Sequence, residues 1–157
     1  MAGITQAMCT SFKVDVLSAG HNFNTTNRAI AANTQDVFRM ALYLVVNGAS
    51  LDATTTAYTT VGEISGTGYT AGGLALTVSK VPSSGGTPTT TAFISFSNAV
   101  WPSNSSFSAD GALIYNASNA NKAVCVLNFG GTKVVSANSF TVVMPAAGTG
   151  SAIVQFS

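Results

Sequence analysis

The acidic side chains are the first candidates for chemistry, because two carboxylates flanking a bond can act as general acid and base. The chain has five, and all are isolated from one another in sequence: Asp15, Asp36, Asp52, Glu63 and Asp110. A hydrolase built on this sequence would use Glu63 and Asp110 as its pair. However, Asp110-Gly111 is typical of a hairpin turn and Asp52 lies in a loop context, so turn formation explains such acids without catalysis. We therefore expect no catalytic residues and no enzyme.

The single histidine and the two cysteines have no spacing that would build a metal or cofactor site. His21 stands in a turn-like context, and no Gly-x-Ser-x-Gly sequence supplies a nucleophile for a triad around it. Cys9 and Cys125 are 116 positions apart, so neither a Cys-x-x-Cys nor a His-x-x-x-His pair occurs. We expect a surface or turn histidine, no metal and no cofactor. One disulfide is possible, but two reduced thiols, with Cys125 packed in the core, agree better with a domain of this size.

The glycine-rich run Gly66–Gly73 is the next candidate, because loops of this kind cradle phosphates. A dinucleotide loop needs Gly-x-Gly-x-x-Gly between a strand and a helix, with an acid about 20 positions further on. Here the third glycine comes one position late, a strand pattern follows, and the next acid is Asp110. We interpret the run as a surface loop between strands and predict a positive φ at one or more of its glycines.

Aromatic and asparagine residues suggest carbohydrate, either bound or attached. Trp101, with Tyr69 and Tyr115, could stack on a glycan, although a tryptophan at the end of a strand is more typical of a core. Three Asn-x-Ser/Thr sequons occur without a secretory signal, and the abundance of these residue types explains them by chance: Asn24, Asn104 and Asn116.

Strand patterns dominate the chain. The segment Phe12–Leu17 alternates in polarity, which predicts a strand with one solvated face. The segment Asp36–Val46 has apolar residues at both odd and even positions, which predicts a strand covered on both faces. Six further segments follow: Leu74–Lys80, Thr91–Val100, Ala112–Tyr115, Lys122–Phe129, Ser139–Met144 and Ala152–Phe156. Turn residues separate them at Pro82–Gly86, Asp110-Gly111, Gly130-Gly131 and Ala146–Gly148.

These patterns predict an all-β fold. Helix is expected only as a single turn within Asn27–Asn33 or Ser50–Ala57. Short strands with regularly spaced turns favour one antiparallel β-sandwich or jelly-roll-like domain over residues 11–157. Residues 1–10 show no strand pattern and are expected to form an N-terminal arm.

Composition excludes several classes of function. Charged residues make up only 7% of the 157 residues, against about 25% in a typical soluble domain, and the net charge is +1. Such a chain cannot neutralise a phosphate backbone, so we expect no nucleic-acid binding. No segment approaches the roughly 20 apolar residues that span a bilayer, and the N-terminus lacks the pattern of a secretory signal.

The segment Thr56–Gly73 contains the block Tyr-Thr-Thr-Val-Gly-Glu-Ile-Ser-Gly-Thr-Gly-Tyr, and Ala109–Asn116 and Asn121–Gly131 follow it. Together with Thr10–Lys13 and Arg39–Tyr43, these segments resemble small virion proteins encoded in the structural clusters of tailed bacteriophages. The resemblance runs from about Thr10 to Phe156. The tyrosine- and glycine-rich block is specific to this group, whereas the remaining segments are typical of β proteins in general.

The resemblance implies a structural role in the virion and carries no catalytic, cofactor-binding or metal-binding residues. The expected function is that of a capsid decoration (cement) protein on the capsid surface, which bridges major-capsid subunits and self-associates. Few charges would have to be desolvated at such interfaces. The alternatives are a neck or tail component, or a receptor module that presents Trp101, Tyr69 and Tyr115 to a glycan.

Overall fold

The computed structural model describes residues 3–24, 35–85 and 90–156. Strands account for 53% of the described residues, which include one short α-helix, and this confirms the all-β prediction. The elements are β1 (Gly3–Ile4), β2 (Ala7–Met8), α1 (Thr10–Leu17), β3 (Phe38–Tyr43), a 3-10 turn (Val45–Asn47), β4 (Ser50–Leu51), β5 (Leu74–Leu76), β6 (Val78–Gly85), β7 (Thr91–Phe96), β8 (Ala99–Asn116), β9 (Lys122–Val142) and β10 (Val154–Phe156).

A long antiparallel hairpin of β8 and β9 organises the fold. It belongs to a five-stranded sheet of order β2-β9-β8-β3-β5, beside a three-stranded sheet of order β10-β7-β6 and a parallel β1-β4 pair. Consecutive residues of β3, β8 and β9 are buried, because the centre of the large sheet is covered on both faces. None of the helical segments within the described ranges has the length and apolar character that a membrane crossing requires.

The segment Phe12–Leu17 is helical, so the strand predicted there is wrong. Within α1 only Phe12 is buried, whereas Val14, Val16 and Leu17 stay exposed. The Gly20 amide donates to the Asp15 carbonyl (2.7 Å) beyond Ala19, which has a left-handed φ of 56°, and this closes the helix as a Schellman motif. Tertiary context therefore overrides the β-branched alternation, which is only a weak local preference.

The N-terminal segment is part of the sheets from Gly3 onward, so the expected arm over residues 1–10 is not what the structure shows. Strand β1 pairs in parallel with β4, and β2 pairs antiparallel with β9. Cys9 is fully buried. Two strands of two residues each are too short to show a period in the sequence, which is why the segment looked unpatterned.

Two of the predicted turns are instead a bulge within the hairpin. Pairing passes from Ala109–Lys133 to Gly111–Asn128, so residues 129–132 of β9, including Gly130 and Gly131, face the single residue Asp110. A bulge uses the same flexible residues as a turn, and the sequence signals are alike. The chain reverses at residues 117–121 instead, between Asn116 and Lys122.

Several other elements begin or end at residues that differ from the predicted ones. Most of Pro82–Gly86 lies in β6, Thr91–Val100 divides between β7 and β8, and β3 ends at Tyr43 before the 3-10 turn. Ser50–Ala57 begins with β4 and holds no helix, whereas Asn27–Asn33 lies outside the described residues.

Both cysteines are free and buried, in agreement with the interpretation as two reduced thiols. Burial raises the pKa of Cys9 to about 11, with a further contribution from the charge of Asp52, and burial raises the pKa of Cys125 to about 12. Since the thiolate is the reactive form, both side chains are protected chemically as well as sterically.

We predict that native protein reacts with iodoacetamide at pH 8 at least about 100-fold more slowly than protein in urea, since the thiolate fraction at a pKa of 11 is near 0.001. Mass spectrometry of timed samples measures the rate at each cysteine. Rapid labelling of either native thiol would contradict this burial.

Candidate functional site

All four tyrosines of the chain gather around Glu63, at the join between the block of residues 56–73 and the five-stranded sheet. The hydroxyl of Tyr58 donates to Oε2 of Glu63 (2.6 Å) and the hydroxyl of Tyr69 donates to Oε1 (2.7 Å). The backbone N–H of Gly72 donates to the same Oε1 (2.6 Å). Both carboxylate oxygens are thus occupied by donors from within the chain.

A second set of hydrogen bonds ties the same block to β3 and β8. The Tyr115 hydroxyl donates to the Gly72 carbonyl (2.8 Å). The Arg39 guanidinium donates from Nε to the same Gly72 carbonyl (3.0 Å) and from Nη2 to the Gly73 carbonyl (2.5 Å). The Leu42 N–H donates to the Tyr69 hydroxyl (3.0 Å). We call this assembly, with Tyr43 and Tyr58, the Glu63 cluster.

The tyrosine hydroxyls of the Glu63 cluster do not ionise near neutral pH. Burial, together with the hydrogen bond to Glu63, raises the pKa of Tyr58 and of Tyr69 well above the usual range. Burial also raises the pKa of Tyr43. These phenols therefore stay protonated and act as hydrogen-bond donors, which is a structural role.

Asp110, the proposed partner of Glu63 in an enzyme, belongs to a different network. Its Oδ2 accepts the Val45 N–H (2.7 Å) and its Oδ1 accepts the Thr132 hydroxyl (2.5 Å). These bonds hold the 3-10 turn and the bulge of β9 at the other end of β3 from Arg39. The described residues therefore use the two carboxylates in separate structural tasks.

The glycine loop, residues 66–73, packs directly on the sheet. Gly66, Gly68, Gly72 and Gly73 all have positive φ, as the sequence predicts. A Cβ on Gly73 would overlap the Met40 carbonyl oxygen, so the backbones approach as closely as glycine allows. Because the Gly72 amide is bonded to Glu63 and the Gly73 amide to the Thr70 carbonyl (2.9 Å), neither is available to a phosphate.

Two of the three aromatic residues suggested for a glycan, Trp101 and Tyr115, are interior. Trp101 is only 1% exposed and packs edge-on against Phe107 and Phe140, and Tyr115 is only 3% exposed. Neither ring offers a face on which a sugar could stack, so the glycan platform proposed from these residues is wrong and the core interpretation of Trp101 is confirmed. Tyr69 is half-buried with its hydroxyl engaged.

A second polar assembly surrounds His21, whose side chain is fully buried rather than at the surface. Its Nδ1 lies 3.0 Å from Nδ2 of Asn116, and its Nε2 lies 3.7 Å from Asp15, which also binds Lys122 (2.6 Å). Nδ2 of Asn116 donates in addition to Asp36 (2.7 Å). We call these five residues the His21 cluster. Asn116 is buried and fully hydrogen-bonded, so this sequon cannot carry a glycan, whereas Asn104 is exposed.

The sequence marks most members of both clusters singly but does not indicate that they meet. Arg39, Tyr43, Tyr58 and Lys122 carry a signal only as part of the segments that resemble virion proteins. Asn116 stands out only as a sequon. Its partner His21 is 95 positions away, a separation that no local pattern spans.

An apolar cavity of about 340 Å³ lies beside the His21 cluster, between α1 and the three-stranded sheet. Aromatic and aliphatic side chains line it: Phe12, Val16, Phe23, Phe93, Ile94 and Phe156. Among the described residues, no three His, Cys, Asp or Glu side chains are placed to hold a metal ion.

We predict that Glu63→Gln destabilises the protein by about 1–3 kcal/mol, because an amide NH₂ must then face donors that the carboxylate accepted. Urea unfolding followed by fluorescence measures the change. Asp52→Asn is the matched control, since this exposed acid accepts only local bonds from Thr54, and it should leave the unfolding midpoint nearly unchanged. Equal midpoints for Glu63→Gln and wild type would remove the Glu63 cluster as a structural determinant.

Gly73→Ala and Gly130→Ala form a second matched pair, because both glycines have a φ of +69°. Nothing lies within 4 Å of a Cβ at Gly130, so only the backbone strain of about 1–2 kcal/mol applies there. Gly73→Ala adds the overlap with Met40, which we expect to cost about 1–3 kcal/mol more. Equal unfolding free energies in urea would show that the close approach of the loop is not required.

Comparisons of the chain with models of protein families, with curated proteins and with solved structures found no match.

Proposed function

We propose that this protein is a structural component of a tailed-bacteriophage virion, and that it decorates the capsid and bridges major-capsid subunits. Two considerations support the proposal. The sequence resembles small virion proteins from about Thr10 to Phe156. The side chains able to do chemistry, Glu63, Asp110 and His21 among them, are engaged inside the described fold, which suits a protein that acts by contact.

The observation that carries the proposal is the exposure of large apolar side chains on a surface with few charges. Leu17 is 90% exposed and Val14 is 59% exposed, and residues three positions apart lie on the same side of a helix. Burying each against a partner would contribute about 1.5–3 kcal/mol. We infer that α1 contacts the capsid.

The segments that carry the resemblance support this division of roles. The block of residues 56–73 contributes to the Glu63 cluster, and Ala109–Asn116 and Asn121–Gly131 lie in or beside the β8–β9 hairpin. Of the other two segments, Arg39–Tyr43 lies in β3 and Thr10–Lys13 begins α1. All but the α1 segment hold the sheets and the glycine loop together. The outward side of α1 and the loops are thus left to contact partners, which would include the major capsid protein and other copies of this chain.

The proposal predicts that the double variant Val14→Ser/Leu17→Ser folds normally but binds capsids at least tenfold more weakly. Purified protein is added to particles that lack it, and occupancy is measured by quantitative mass spectrometry and by imaging of the particle. The matched control is Val46→Ser/Val134→Ser, which changes two exposed valines away from α1 and should bind as wild type does. Particles without the protein should open at lower temperature, because a ligand of the assembled shell stabilises it.

Three results would be adverse, and each is distinct. Full occupancy of the capsid by the α1 double variant would show that α1 is not the contact surface. Equal heat resistance of particles with and without the protein would remove the cement role. Protein found at the neck or tail in the images would replace the capsid with that location.

A further inference from the structure

The His21 cluster joins five parts of the chain: α1, residues 20–24, the approach to β3, the end of β8 and the start of β9. Besides its own bonds, Asp36 accepts the Asn22 N–H (2.8 Å), and Nδ2 of Asn119 donates to the Gly20 carbonyl (2.6 Å). The cluster therefore fastens residues 20–24 to the turn at residues 117–121.

The orientation of the Asn116 amide is fixed by backbone groups. Its Oδ1 accepts the N–H of Ser118 (3.0 Å) and the N–H of Asn119 (3.2 Å). A backbone N–H is always a donor, so Oδ1 must face the turn and the NH₂ must face the opposite side. There its two hydrogens serve Asp36 and Nδ1 of His21.

This arrangement determines the protonation state of His21. A nitrogen that accepts a hydrogen bond from the Asn116 NH₂ must carry no proton, so the neutral imidazole bears its hydrogen on Nε2. Acid would add a proton from water to the lone pair of Nδ1, and two donors would then face each other at 3.0 Å. Rotating the amide would not relieve this clash, because it would set an NH₂ against the Ser118 and Asn119 amides.

We propose that the His21 cluster is an acid-sensitive latch: protonation of His21 at Nδ1 breaks the Asn116–His21 bridge and weakens the attachment of residues 20–24 to the turn at residues 117–121, where the Asn119–Gly20 hydrogen bond remains.

The charges around the imidazole act in both directions. Burial lowers the pKa of His21 and is the largest influence on it. The imidazole is covered in part by the ring of Phe12, whose centroid lies 4.9 Å from that of His21. Asp15 and Asp36 raise that pKa, and Lys122 lowers it. The net result is a pKa below the ordinary value of about 6.5.

The sign of the pH dependence follows from that lowered pKa. Above about pH 6.5 the folded and unfolded chains are both neutral at this site and the latch is intact. As the pH falls below about 6.5, the unfolded chain binds the proton first. The folding equilibrium constant therefore decreases by up to about tenfold per pH unit until the pH reaches the native pKa.

The chain has one histidine, so NMR reports the titration of His21 without ambiguity. In wild-type protein at pH 7.5 we expect the Nε2–H tautomer. On acidification, the signals of the Asn116 side-chain amide and of the Ser118 and Asn119 amides should shift with the same midpoint as the imidazole. An Nδ1–H tautomer, or an imidazole that titrates without moving these amides, would overturn the latch.

His21→Gln provides the matched variant, because its amide oxygen can accept from Asn116 but cannot take up a proton. Urea unfolding should show that the free energy of unfolding of the wild type falls between pH 7.5 and 5.5. The same quantity for His21→Gln should stay constant over that range. Both proteins carry the same carboxylates, so the difference between them reports on His21. An equal dependence of the unfolding free energy on pH in the two proteins would overturn the proposal. If His21→Gln does not fold, the NMR titration of the wild type decides the question.

Discussion

The carboxylate of Glu63 is the constraint on which the rest of the structure depends. It accepts from two tyrosine hydroxyls and one backbone amide, and so holds the glycine loop against β3 and β8. A carboxylate in this position is stabilised only while its donors remain, because a buried or half-buried charge without partners is costly. The positive φ angles of the loop, the close contact of Gly73 with Met40 and the forked contact of Arg39 act beside this anchor on the same loop.

The sequence predicted the fold class because strand patterns and turn residues are local. The apolar run of β3 and the paired runs in β8 and β9 are visible as such, and all lie in the central sheet. The predictions failed where local patterns coincide: Phe12–Leu17 alternates as a strand would, and the bulge residues Gly130 and Gly131 resemble a turn. The clusters were not predictable from the sequence, because His21 and Asn116 meet only through the sheet.

The distribution of polarity in this protein is unusual and bears on its proposed role. Many of its few charged side chains are used inside, where Arg39, Glu63 and Asp110 fasten loops to the sheet. Valines and leucine remain outside, on α1 and on the outer part of β9. A protein that works by contact with a large assembly would benefit from this distribution, because apolar contacts need little desolvation of charge.

The bulge in β9 has a consequence for the edge of the large sheet. Strand β2 covers β9 only at Val126 and Cys125, so in the described structure residues 133–142 form an outer edge with no strand beside it. A long free edge is a template for pairing between copies, which would join a protein expected at high local concentration into open ribbons. Here the bulge at residues 129–132 and the left-handed Ala137 (φ 47°) interrupt the edge, and Lys133 places a charge on it. The longest runs in regular register, residues 133–135 and 140–142, are too short to hold a foreign strand firmly, so the irregular backbone disfavours the pairing of copies along this edge.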